Sequence, residues 1–325
     1  LYGGDDGWRY AVGTTGIIAI LYSGVFFLNA RNTPEGATYF KPKKAGGLEV
    51  SNKSDLVVCI LMQAPLFIAL GLLVWKLGSS NLALFSQSTE AICYVGLAAL
   101  FVYNARNIFA VNKPVLTEPV AEIHQYKFKQ VAVLSLAYMT SFGPELAVVS
   151  MLPLFFMDTF NLSAATAGLF AAGFAFMNIV ARPAGGWLSD TYGRKRVMVF
   201  LFIGLMAGYL GMSQVSSDWL IGAAVIMCMA CSFFVQSAEG AVFAIVPLVK
   251  RRLTGQIAGM VGAFGNVGGV TFLIVYSFVD AQTFFLTISA TSVLTMVLII
   301  IFFEEPKGHT AEVLPDGTVQ LIEVS

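Results

Sequence analysis

Nine apolar runs of bilayer length, separated by short polar segments, constrain this 325-residue chain more than any other feature. They lie at roughly 9–28, 55–77, 83–104, 130–157, 163–187, 196–214, 219–247, 255–278 and 282–303. A helix of about 20 apolar residues crosses the hydrocarbon core of a bilayer. Inside lipid only helices and closed barrels satisfy every backbone polar group, and these runs lack the strict alternation of barrel strands. The charged fraction is 12%, where soluble domains carry about 25%. The expected fold is therefore an all-α integral membrane protein with nine transmembrane helices. The third run is the weakest, because it contains Glu90 and ends near Asn104 and Arg106.

Basic residues set the expected orientation. If the first run passes from outside to inside, the inner segments hold 16 of the 19 Lys and Arg, among them Arg31, Lys53, Arg106, Lys127, Arg194–Arg196, Lys250–Arg252 and Lys307. Arg9, Lys76 and Arg182 are the exceptions. This places the C-terminus in the cytoplasm and favours counting the third run. The linker 29–54, rich in Pro, Gly and Lys, reads as a solvated cytoplasmic loop. Pro315-Asp316-Gly317 between apolar residues suits a hairpin turn in a small cytoplasmic tail.

The net charge is zero, so nothing draws the chain to nucleic acid. Cys228 and Cys231 have a CxxC spacing, which could suggest redox or metal chemistry. No second ligand pair lies nearby, and two small apolar residues in a membrane helix is the simpler reading. His124 and His309, the two histidines, fall in cytoplasmic segments. With no paired nucleophile and base, an enzyme is not expected, and no cofactor or metal is called for.

The most specific stretch is Gly186-Trp-Leu-Ser-Asp190-Thr-Tyr-Gly193-Arg194-Lys195-Arg196, between two spans. Gly193 permits a tight turn, Asp190 can pair with basic groups or a helix N-terminus, and the basic residues anchor the loop inside. An ordinary positive-inside loop explains the charges but not the whole pattern. The pattern resembles the cytoplasmic loop motif of the major facilitator superfamily, which joins the second and third helices of each six-helix half. The runs from 130–157 to 282–303 number six, and the motif falls between the second and third.

Several intramembrane residues carry possible chemistry. Gly255, Gly259, Gly262, Asn266 and Gly269 recur at steps of 4, 3, 4 and 3, so they share a helix face that a neighbouring backbone could approach closely. Simple small-residue packing explains the glycines better than it explains Asn266, an amide in mid-membrane. Arg182 lies eight residues before Asp190, about 12 Å of helix from the inner end. Its burial costs at least ~2.5–3.5 kcal/mol on insertion scales, so a polar cavity is expected, where its planar fork would suit an oxyanion. A structural ion pair with Glu145 or Glu239 is the alternative. Tyr138, Phe142 and Glu145 share one face at i, i+4 and i+7, beside the potential kink at Gly143-Pro144. Glu145 and Glu239 are intramembrane carboxylates that could carry protons.

Together these stretches resemble the nitrate/nitrite porter family within the superfamily. The resemblance rests on the Gly-rich stretch Gly255–Gly269, on Ala181-Arg182-Pro183-Ala184-Gly185-Gly186 and on Tyr138-x-x-x-Phe142-Gly143. It covers residues 128–303, and Gly7-Trp8-Arg9 onward is similar to the family's sixth helix. It implies that Arg182 binds the anion, that Tyr138 and Phe142 pack on its flat faces, and that Asn266, Gly262 and Gly265 close the site. Glu145 and Glu239 are candidates for proton coupling. Gly186, Asp190, Gly193, Arg194 and Lys195 form the conformational loop.

Four segments are expected: the last helix of an N-terminal half at 1–28, a linker with two extra helices at 29–127, a six-helix half at 128–303 and a tail at 304–325. The family's first five helices are not matched, so an N-terminally truncated sequence is expected. The implied activity is secondary active transport of nitrate, with nitrite as a further substrate, by proton symport or anion exchange in the cell membrane. The expected partners are nitrate or nitrite, protons and lipid. A porter for another small anion or organic acid, or a non-transporting nitrate sensor, are the alternatives.

Overall fold

The computed structural model describes residues 7–30, 47–306, 309–313 and 319–323. Contacts divide the chain into two units. The first contains α1 (Gly7–Asn29), a helix with apolar residues around its whole circumference and Gly7 as its sole buried residue.

The second unit holds the remaining helices. α2 (Lys53–Leu61), α3 (Ala64–Leu77) and α4 (Gln87–Asn112) come first. They are followed by α5 (Phe128–Phe160), α6 (Ala164–Phe176), α7 (Asn178–Tyr192), α8 (Arg194–Met212), α9 (Ile221–Val249), α10 (Thr254–Tyr276) and α11 (Ala281–Phe302). Helix α5 is the hub: it packs against α6, α9, α10 and α11, while α9 packs against α7 and α8. Accordingly α5 buries residues on several faces, from Phe128 to Phe156. Among the described residues nine stretches are long and apolar enough to cross a membrane, so the membrane-bundle architecture is borne out.

Three of the expected spans differ in detail. The second is split into α2 and α3 around Met62–Gln63, with Pro65 in the first turn of α3, where its missing N–H costs nothing. The third starts later and runs further than hydropathy suggests. Ser86 caps α4 by accepting from Thr89 N (3.2 Å), and Glu90 accepts from Ser79 N (2.5 Å) in the preceding turn. The carboxylate that made this run look weak is therefore a turn ligand at the helix start. The fifth is broken into α6 and α7 at Met177. The break loosens the backbone ladder ahead of Pro183, and α9 serves one carbonyl there: Ser232 Oγ (2.6 Å) and Gln236 Nε2 (3.0 Å) both donate to Phe174 O.

The expected solvated loop needs correction at its C-terminal end. Residues 31–46 lie outside the described residues, but Leu48 and Val50 are buried. Asn112 explains why, since its amide accepts from Val50 N (2.8 Å) and donates to Leu48 O (3.0 Å). Tyr126 donates its hydroxyl to Glu49 O (2.5 Å), and Glu49 pairs with Arg252 at 2.7 Å. This strap ties α4 to the start of α10, and α3 packs along α10 as well.

The tail contains an antiparallel pair, β1 (His309–Val313) and β2 (Val319–Glu323), in register from His309↔Glu323 to Val313↔Val319. The expected turn at Pro315–Gly317 lies outside the described residues, between these two strands.

Candidate functional site

The site is assembled where α5, α7 and α9 meet. Two glycines bring α7 and α9 together. A Cβ at Gly185 would fall on the Ser237 carbonyl, and one at Gly240 on the Arg182 carbonyl. Only glycine allows this backbone approach. Ser237 Oγ donates to Ala181 O (3.0 Å) across the same crossing.

Arg182 projects from α7 towards two carboxylates. Its Nη2 lies 3.1 Å from Glu145 Oε2 and also contacts Glu239 Oε2. The ion-pair alternative is thus present in the structure, with both partners at once. Glu145 Oε1 accepts from Asn178 Nδ2 (2.8 Å) and Gln236 Nε2 (3.2 Å). The carboxylate side chains are 6% and 1% exposed, whereas Arg182 retains 38%. Its guanidinium is therefore still reachable, and among the described residues its Nε has no acceptor.

The aromatic residues lie beside that opening. Tyr138 and Phe142 stack with centroids 5.1 Å apart and planes at 8°. The Arg182 guanidinium carbon is 5.5 Å from the Phe142 centroid, within cation–π range. Phe243 of α9 meets Tyr138 edge-on at 4.8 Å. A Cβ at Gly265 would strike both Tyr138 and Phe142 at 2.6 Å, so α10 is the floor under the stack.

The Gly-rich face is only partly what the spacing suggests. Close approach to α5 involves Gly268 against Met139 and Gly143, and Gly269 against Leu146. Among the described residues, a Cβ at Gly255 or Gly259 would meet nothing within 4 Å, and one at Gly262 only Phe243 at 4.0 Å. Asn266 is exposed and donates to Gly262 O one turn back (3.2 Å). Among the described residues the structure thus joins Arg182, Glu145, Glu239, Tyr138, Phe142 and Gly265, sets Gly262 near Phe243, and leaves Asn266 apart.

Asn178, Gln236 and Phe243 are site residues that sequence reasoning passed over. Asn178 precedes Arg182 by one helical turn, and Gln236 precedes Glu239 by three residues, so shared helix faces were the available signal.

The loop motif is held from outside itself. Gly193 has φ +94°, the region that favours glycine. Asp190 pairs with Arg194 at 3.5 Å, and Gly186 faces α9 near Gly240 and Ala244. Lys195 Nζ donates to Ile300 O (2.8 Å), and Glu305 accepts from Arg194 N (2.5 Å) at the start of α8. An acidic side chain satisfies the free N–H groups and the positive dipole end of that helix. Nearby, Glu304 pairs with Lys127 and Lys129, which hold its carboxyl well below the usual range, at about 2.

Cys228 and Cys231 are buried free thiols. Cys231 fits against Gly208, where a Cβ would approach the Cys231 Cα to 2.9 Å. Cys231 thus packs between α8 and α9.

The chain spans about three fifths of the length of the first curated relatives it matches. It is 45% identical over 325 residues to the nitrate/nitrite transporter NrtP of Picosynechococcus, covering 94% of this chain and 60% of that protein. It is 40% identical over 314 residues to NrtP of Nostoc punctiforme, covering 95% and 62%. The nitrite extrusion protein of Bacillus subtilis is 32% identical over 184 residues, covering 54% and 46%. The Major Facilitator Superfamily model matches residues 134–323, which take in the six-helix bundle, the Arg182 site and the Gly193 loop. With that match over more than half its length, the chain belongs to the Major Facilitator Superfamily.

Proposed function

We propose that this bundle moves nitrate, and nitrite as a related substrate, across the cell membrane by alternating access. The observation that carries the reading is the half-open guanidinium of Arg182 within a membrane span, beside the stacked Tyr138–Phe142 pair. A planar oxyanion has three needs in such a place: a matching donor fork, an apolar surface for its faces and shelter from water. Arginine offers the first, and the aromatic rings with Gly265 beneath them offer the others. The names of the curated relatives agree with that chemistry. In this reading the broken α6–α7 helix places its irregular backbone next to the site, as transporters do where a helix lines a cavity. Asn266 would serve on the open side of α10. The basic loops and the tail would face the cytoplasm.

The test is uptake of isotopic nitrate by the full chain. Arg182→Ala should abolish uptake while membrane insertion persists, and Arg182→Lys should retain only a small part, because an ammonium lacks the planar fork. Undiminished uptake by Arg182→Ala would remove the assignment. Competition by carboxylates stronger than by nitrite would redirect the reading to organic acids.

A further inference from the structure

Resting on the nitrate reading above, we infer that Glu239 carries the proton that travels with the anion, and that Glu145 is a fixed counter-ion of Arg182 positioned by Asn178 and Gln236. The two carboxylates look equivalent in sequence, since each is one acidic residue in an apolar helix. Their surroundings differ.

Glu145 is saturated with donors. Asn178 Nδ2 and Gln236 Nε2 serve one oxygen and Arg182 Nη2 the other. These three donors fix the carboxylate in place against Arg182. Gln236 is itself fully buried and fixed by its second bond to Phe174 O. The break between α6 and α7 therefore has a use: it frees the carbonyl that orients Gln236 and sets Asn178 at the start of α7.

Glu239 has none of this. It is more deeply buried, Arg182 is the one donor that reaches it, and among the described residues its Oε1 has no hydrogen-bond donor. A proton placed there displaces no donor, and Glu145 stands within hydrogen-bonding reach to accept it. The groups facing Glu239 are Glu145 and Tyr138 from α5, Arg182 from α7 and Tyr209 from α8. α6 carries no titratable side chain, and on α10 the one tyrosine, Tyr276, is at the outer end against Phe284.

Charge counting gives the coupling. One guanidinium with two carboxylates sums to −1, and a monovalent anion added alone makes −2 in a water-poor site. If a proton moves from solvent onto Glu239 as the anion arrives, the total stays at −1. The protonated carboxyl then releases the Arg182 Nη2 edge, and the anion takes that position. Release on the other side reverses both steps. Proton and anion thus favour each other's binding reciprocally.

The test reconstitutes the full chain in vesicles with an internal pH dye and follows nitrate flux and acidification together. For Glu239→Gln, the nitrate counterflow that remains should cease to vary with pH, and the protons entering per nitrate should fall to the protein-free background. Glu239→Asp, which keeps a carboxyl with a shorter reach, should retain proton entry with a displaced pH midpoint. Asn178→Leu and Gln236→Leu should raise the KM for nitrate while keeping the proton-to-nitrate ratio. Proton entry at the wild-type ratio in Glu239→Gln, or an unmoved midpoint in Glu239→Asp, overturns the assignment. A wild-type chain that moves nitrate without protons overturns it alone, whereas one that moves neither nitrate nor nitrite takes the transport reading down with it.

Discussion

Gly240 offers the sharpest test of how the site is built. It lies in α9 next to Glu239, and a Cβ there would overlap the Arg182 carbonyl oxygen while sitting 2.9 Å from its carbon and 3.1 Å from its Cα. Favourable carbon contacts lie near 3.5–4.0 Å, so Gly240→Ala must push α7 and α9 apart by roughly 1 Å. Backbone atoms cannot rotate away as a side-chain tip could. Overpacking of this kind costs about 1–3 kcal/mol, which lowers the melting temperature by about 2–4 °C per kcal/mol in a domain of this size. The same displacement withdraws Arg182 from Glu239 and from the aromatic stack, and a misplacement of about 1 Å can cost ~100-fold in a positioned site. Gly222→Ala is the control, because it lies in the same helix with nothing within 4 Å of the added carbon. It should leave the melting temperature equal or raise it slightly, since alanine is the better helix former. Thermal melting in detergent and nitrate uptake in vesicles read the two consequences. If Gly240→Ala melts and transports as Gly222→Ala does, the α7–α9 crossing does not position Arg182 and the reasoning fails.

Other expectations concern the end of the bundle that carries the basic loops and the tail. Arg252→Leu leaves Glu49 in a mostly enclosed position without its cation, and breaking such a pair costs up to about 3–5 kcal/mol when fully buried. Part of that is expected here, seen as a lower melting temperature and faster proteolysis of the segment before α2; an unchanged digestion pattern would show that the strap is held by Asn112 and Tyr126 without the ion pair. Glu305→Ala removes the acceptor at the start of α8 and should cost about 1 kcal/mol, with a partial loss from Glu305→Gln. The Glu304 clasp gives a pH signature. Its carboxyl is depressed from 4.5 to about 2, so its contribution is present above about 4.5 and is lost as the pH falls towards about 2. Because these groups are about half exposed, the effect should be small and shrink with salt. A melting temperature that rises as the pH falls from about 4.5 towards about 2 would contradict it.

Much of this protein was legible in one dimension because lipid leaves few options. A backbone that must satisfy itself writes its spans as long apolar runs, and this holds for all nine. Chemistry at fixed local spacing was legible too. Tyr138, Phe142 and Glu145 share a face by helical periodicity alone, and the Gly193 turn follows from residue type. Arg182 stands out because a guanidinium in a membrane span needs a reason.

Relations between helices were not legible, since no local pattern records which backbone will cross another. The spacing of Gly255, Gly259, Gly262, Asn266 and Gly269 marks a small-residue face, but α5 crosses α10 at Gly265 and Gly268, and that contact was fixed by the partner's Gly143. Hydropathy treats Glu90 as a flaw in a span, whereas a turn eleven residues earlier uses it as a ligand. It likewise cannot see that Asn112 draws residues 48–50 into the core, because the pairing spans more than sixty positions. The sequence determined that this chain spans a membrane as helices and that one of them carries an arginine needing polar company. Tertiary structure decided which carboxylate is served by three donors and which by Arg182 alone, because that depends on Asn178 and Gln236 arriving from two other helices.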